Sequence, residues 1–244
     1  MSRNYELLAQ IETDLDATTD HNPSFANRSA PLGDVLTNSG DVFQDEMRRL
    51  VQRVFLSASA IPPRQVVFCG VERDNGSTSV CANAARTLAA NISQSVCVAD
   101  GNLRSPRLAD ALGIVDTIPI FGESSLKGDG CIQIGSNLWF GGTDVLSNES
   151  GALPPVDKLK ERLARLHDIF EYVLIDAPGT NVCEDASKLA QLAGAAVLVI
   201  DANRTRRITA RKAMEALEAS HVRLLGTVLH NRSFPIPERL YKRL

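Results

Sequence analysis

Residues 64–91 constrain this chain more than any other stretch. Val66, Val67 and Phe68 form a short apolar run of β-formers. Residues 70–76 are a polar loop that opens and closes on glycine. Residues 77–90 are small and alanine-rich, with Val80, Ala84, Thr87 and Leu88 on one helical face. The order is strand, loop, helix. In that layout backbone N–H groups and a helix N-terminus can hold an anion such as phosphate. A phosphate loop ordinarily ends Gly-Lys-Ser/Thr; this one ends Gly76-Ser77-Thr78. On the glycines alone, a plain turn joining strand to helix is the simpler explanation.

The same alternation continues to about residue 230. Apolar runs at 96–99, 137–140, 172–175, 195–200 and 224–229 read as strands. Helical periodicity appears at 107–112, 156–170, 186–192 and 207–219, and before the loop at 44–57. Alternating strands and helices predict an α/β fold, a mostly parallel central sheet covered by helices on both faces. Ligands in such folds sit beyond the carboxyl ends of the strands. Those ends carry Cys69-Gly70, Asp100, Asp176 and His230. Two aspartates ending apolar strands suit a magnesium-bound nucleotide, because Mg²⁺ is hard and prefers oxygen. They equally suit plain solvation of a strand end or capping of the next helix.

Composition bounds the rest. The chain has 244 residues and a net charge of −3, so it is not a general polyanion binder. Charge is uneven: residues 201–244 hold ten Arg or Lys against four acids, and residues 1–53 hold nine acids against five bases. The five cysteines, 69, 81, 97, 131 and 183, form no C-x-x-C pair and read as reduced core residues of a cytosolic protein. No run approaches a membrane span and no signal peptide is visible. The histidines at 21, 167, 221 and 230 do not cluster, so no zinc site is expected. Residues 2–17 fit a short helix, and residues 18–43, polar and containing Pro and Gly, read as a flexible arm. The expected organisation is residues 1–43 as N-terminal helix and arm, and residues 44–244 as one domain.

Three stretches carry a family resemblance. Residues 67–90 match a phosphate loop and its helix. Residues 98–108, Val-Ala-Asp-Gly-Asn-Leu-Arg-Ser-Pro-Arg-Leu, match a second aspartate motif. Residues 173–179, Val-Leu-Ile-Asp-Ala-Pro-Gly, match a Walker B segment. Together, over roughly residues 44–232, the chain resembles the cytoplasmic ATPase domain of bacterial tyrosine kinases and their relatives in capsule and exopolysaccharide biosynthesis, in the MinD/ParA-like branch of P-loop ATPases. The resemblance implies a P-loop NTPase-like three-layer sandwich. It assigns phosphate and nucleotide contacts to Gly70, Asp74, Gly76, Ser77, Thr78, Ser79, Arg104 and His230. It assigns a metal site to Thr78, Asp100 and Asp176.

The departures from the pattern lie at the chemistry. Ser77 stands at the lysine position and cannot neutralise phosphate as an ammonium does. Asp74 and Asn75 stand where Gly and usually Glu occur, and a carboxylate in a phosphate cradle repels its anion. Asn102 replaces the second Asp of an Asp-x-Asp pair, and Gln52 replaces an Arg of the ring-assembly helix around Glu46 and Arg49. His230 stands where an adenine-reading Asn is expected. The tyrosine cluster of kinase tails is absent, since the tyrosines are 5, 172 and 241.

The resulting expectation is a non-catalytic regulatory or scaffold protein of exopolysaccharide biosynthesis and export. Asp100 and Asp176 would then be vestigial and neither ATP turnover nor tight MgATP binding would survive. The alternatives are an active ATPase or protein-tyrosine autokinase, with ATP or ADP and Mg²⁺ as cofactors, and a MinD/ParA-like spatial organiser. The implied partner is the cytoplasmic region of a membrane polysaccharide co-polymerase, with weak self-association, no specific nucleic acid and a cytoplasmic or membrane-peripheral location.

Overall fold

The computed structural model describes residues 33–57, 62–114, 126–127 and 130–232. The plan of the sheet follows from the burial of its strands. Strand β1 (Gln65–Gly70), β2 (Val96–Asp100), β6 (Tyr172–Ala177) and β7 (Ala195–Asp201) are buried along nearly their whole length. Continuous apolar strands of this kind need cover on both faces, which parallel sheets receive from their crossover helices. The remaining strands are β3 (Leu126–Lys127), β4 (Cys131–Gln133), β5 (Leu138–Gly141) and β8 (Arg223–His230). The sheet order is β3-β4-β5-β2-β6-β1-β7-β8, parallel from β5 to β8, with β4 antiparallel to both β3 and β5. The expected α/β three-layer sandwich with a mostly parallel central sheet is what the chain forms.

Each layer has its own core. On one face, Val66, Phe68, Val96, Val98, Leu174, Val197 and Val199 meet α1 (Gly33–Val54) through Val51 and Val54, and α2 (Ser77–Asn91) through Val80, Ala84 and Leu88. On the other, Val67, Cys97, Val173, Ile175 and Leu198 meet α5 (Val156–Ile169), α6 (Asp185–Ala193) and α7 (Arg207–Ala219). Two short helices, α3 (Leu108–Ala111) and α4 (Thr143–Leu146), complete the chain. Small residues along α2 let it lie close to the sheet, which brings its first turn over the strand ends.

Several expectations change. The helix expected from residue 44 begins at Gly33, so residues 33–43 are helical and not part of an irregular arm. Residues 1–32, including the expected helix at 2–17, lie outside the described residues. Strands β3 and β4 and helix α4 had no readable period, being two to four residues long. Gly113 caps α3 in the left-handed conformation (φ 64°), as its position past the last apolar residue predicts. Cys69, Cys81, Cys97 and Cys131 are buried thiols, with the Cys97 and Cys131 sulfurs 3.8 Å apart, and burial pushes the Cys69 thiol up to about 12. Trp139 packs on Phe170 with ring centroids 5.5 Å apart. Tyr172 is only partly buried and meets Phe55 edge-on at 5.8 Å. No helix among the described residues is long and apolar enough to cross a membrane.

Candidate nucleotide site

The site grows from three parallel strands that end side by side. Phe68 pairs with Asp176 between β1 and β6, and Asp100 pairs with Asp176 between β2 and β6. Partners in register point to the same face. Asp100 and Asp176 therefore stand together beneath the first turn of α2. Burial is the dominant influence on both. It raises each carboxyl, and Asp176 is pushed up to about 8 despite a hydrogen bond from Thr78 that opposes the rise. The charge of Asp100 adds to the shift of Asp176.

The two aspartates have different surroundings. Asp100 Oδ1 accepts the Asn102 N–H at 3.0 Å and Oδ2 accepts the Leu108 N–H at 3.1 Å. Both oxygens are thus committed to the loop leading into α3, close to the capping role considered above. Asp176 Oδ2 accepts the Thr78 hydroxyl at 2.7 Å, while Oδ1 is buried with no hydrogen-bond partner among the described residues. A fully buried carboxylate oxygen without a partner is costly, and such atoms call for a specific explanation.

The loop above them is fixed from several sides. Asn75 is buried. Its Oδ1 accepts the Glu72 N–H at 2.9 Å, and its Nδ2 donates to Thr205 Oγ1 at 2.9 Å. The turn after β6 closes the other flank, where Thr180 N–H donates to the Gly70 carbonyl at 2.9 Å. Gly179 lies so close to the loop that a Cβ there would come 2.7 Å from the Glu72 carbonyl oxygen. Gly76 adopts φ +82°, and a Cβ on it would run into the His230 ring. Glycine is therefore required there by conformation and by space.

A cavity of about 470 Å³ opens over this loop. Among the residues assigned from sequence, Asp74, Gly76, Ser77, Thr78, Ser79 and Arg104 line it. Gly70 lies at the end of β1 behind the loop, His230 packs on Gly76, and Asp100 and Asp176 lie beneath. Among the described residues, the lining includes three arginines, Arg73, Arg104 and Arg107, and no lysine. Arg104 Nε is 3.8 Å from Asp185 Oδ2, and Arg107 Nη1 is 3.4 Å from Asp74 Oδ1. The Asn75–Thr205 link and the place of Arg107 were not legible in sequence. Each depends on a contact between segments remote in the chain, and neither residue type signals it locally.

No protein-family model matches the chain. It is 27% identical over 187 residues to the tyrosine-protein kinase YwqD of Bacillus subtilis (strain 168), spanning 68% of this chain and 77% of that protein. It is 31% identical over 88 residues to the tyrosine-protein kinase CpsD of Streptococcus agalactiae, spanning 33% of this chain and 38% of that one. Its fold superposes on the kinase domain of the Escherichia coli tyrosine kinase ETK with a TM-score of 0.63 at 18% identity, covering 91% and 89% of the two chains. The chimerical protein CapA2B2 gives 0.60 at 22% identity, covering 76% and 83%. The cell division ATPase MinD of Pyrococcus furiosus gives 0.56 at 24% identity, covering 74% and 79%. The chain is thus similar in sequence to tyrosine-protein kinases of bacteria, and it shares its P-loop NTPase-like fold with the kinase domain of ETK and with the ATPase MinD.

Proposed function

We propose that the chain is a Mg²⁺-nucleotide-binding, kinase-type ATPase domain that works in polysaccharide biosynthesis and export beside a membrane partner. The observation that carries this reading is Asp176, buried with one oxygen bonded to Thr78 and the other unpartnered. A domain kept only for its surface has no use for a costly buried carboxylate of this kind. The residues fit a cation. Thr78 Oγ1 and Asp176 would hold Mg²⁺, which keeps several waters and shares phosphate oxygens instead of requiring an all-protein cage. Bound Mg²⁺ supplies charge neutralisation at the phosphates.

The chain's own residues do the rest. Gly76 in its left-handed turn aims the loop amides and the N-terminus of α2 at the cavity, where an anion is favoured. Arg73, Arg104 and Arg107 bring positive charge that Ser77 cannot. Thr205 holds Asn75 and so ties the loop to the start of α7. The partner reading rests on the family resemblance. Exposed Arg206 and Arg211, with Ile208 standing 65% exposed between them, give the first turns of α7 a surface for such a contact.

A second reading, binding without turnover, is favoured by Ser77 and by the carboxylate of Asp74 at the cavity. Calorimetry with MgATP and MgADP, paired with phosphate release and autophosphorylation, separates the two. Turnover in the wild type that vanishes in Asp176→Ala is the expected result. Tight binding with no turnover supports the regulatory reading. Absence of both binding and turnover refutes the nucleotide site.

A further inference from the structure

We propose that Asp74 and Arg107 form an anion-operated latch, and that Arg107 is the phosphate-binding cation of this site. The inference rests on the nucleotide reading above and goes on to name the residue that replaces the loop cation.

The phosphate loop offers its ligand amides but no cationic side chain at Ser77. Apart from Arg73, on the loop itself, the positive charge comes from across the cavity. Arg107 is placed for this. Its neighbour Leu108 is anchored through its N–H to Asp100 Oδ2, so the guanidinium springs from backbone fixed to the end of β2. Its Nη1 lies 3.4 Å from Asp74 Oδ1, and both groups line the cavity. The pair bridges the loop and the segment before α3, residues remote in sequence. Asp74 holds its position at φ 60°, a conformation uncommon for residues other than glycine. A guanidinium also matches phosphate geometry through its planar fork.

The pair is easy to open. The side chains of Arg107 and Asp74 are 64% and 55% exposed, and exposed ion pairs hold weakly. An entering phosphate repels Asp74 and attracts Arg107 at once, so anion binding acts directly on this pair. Arg104 is held differently. Its acidic partner, Asp185, belongs to α6, and it also borders the neighbouring hollow beside Leu153 and Pro154. The extra carboxylate that looked like a defect in the cradle thus becomes the resting partner of the cation. Without ligand it holds Arg107 across the cavity; with phosphate present it releases it.

The test titrates MgADP into the full chain as wild type, Arg107→Gln, Asp74→Asn and the double variant, with a thermal melt of each. Arg107→Gln is expected to weaken binding about tenfold, the effect of one lost charge-assisted contact. Asp74→Asn is expected to tighten it about threefold or more, by removing both the repulsion and the competitor for Arg107. In the Arg107→Gln background that gain should shrink. Wild-type binding matched within about twofold by Arg107→Gln overturns the latch and leaves the nucleotide reading standing. So does a gain from Asp74→Asn that is the same with and without Arg107. No binding by any variant overturns the nucleotide reading, and the latch with it.

Discussion

Replacing Asp176 by asparagine should stabilise the metal-free protein at neutral pH. The carboxyl is 0% exposed, Oδ1 has no partner among the described residues, and burial moves it from an ordinary 3.8 up to about 8. Its folded pKa lies above its unfolded value, so the folded state binds the extra proton between those two pH values. Stability from this group is full below about pH 4 and falls as pH rises toward about 8. One proton costs ~1.4 kcal/mol per pH unit inside that window. From pH 5 to pH 7 the wild type should lose about 3 kcal/mol through this group alone. Asparagine keeps an oxygen for the Thr78 hydroxyl and carries no charge, so the variant loses the pH-dependent cost. Asp100 titrates upward for the same reason, burial, which makes the difference between the two proteins the quantity to read. Urea unfolding of both in chelator at pH 5, 6, 7 and 8 measures it. The gap should open with pH in favour of the variant. Adding Mg²⁺ with nucleotide should close it by stabilising the wild type only. Parallel curves, or a variant less stable at every pH, would refute the claim that Asp176 is a strained carboxylate awaiting a cation.

The remaining predictions concern the loop, its metal ligand and the surface. Gly76→Ala should destabilise by about 1–3 kcal/mol, since it adds a Cβ at φ +82° against the His230 ring. His230→Ala should recover part of that in thermal melts, and no recovery would show that conformation alone is at fault. Thr78→Val should weaken MgADP binding tenfold or more in calorimetry while leaving Mg²⁺-free nucleotide binding nearly unchanged, because it removes the oxygen proposed to hold the metal and not a phosphate amide. Changing Arg206 and Arg211 to Glu should abolish capture of a membrane partner in a pull-down from detergent-solubilised membranes. Retained capture would move the contact elsewhere. Light scattering at micromolar concentration should show a monomer or weak dimer. Arg49 is paired with Glu46 at 2.8 Å within its own helix, and Gln52 supplies no cation, so a discrete ring would contradict this reading.

Local pattern was enough for the frame of the molecule. Strands β1, β2, β6 and β7 are continuous apolar runs because both faces are buried, and a run of that kind is visible without knowing its neighbours. The helices that cover them repeat at helical spacing for the same reason. Elements of two to four residues were not visible, since a period needs more residues than β3, β4 or α4 possess. The start of α1 at Gly33 was missed because Asn38, Ser39, Gly40 and Asp41 are weak helix formers, and propensity alone places them in a loop.

The site divides along the same line. Sequence pattern pointed to the glycines of the loop and the two aspartates, because each stands at or just past the end of its own strand, while Thr78 entered through the family resemblance. It also exposed the serine at position 77, a fact no structure was needed to establish. Only the tertiary structure separated the aspartates. Their identical placement at strand ends gives no hint that Asp100 spends both oxygens on backbone while Asp176 keeps one unpaired. Likewise, only folding sets Arg107 beside Asp74 and Asn75 beside Thr205. Charge and hydrogen-bond partners depend on distance in space, and parallel crossovers bring together residues that the chain holds far apart.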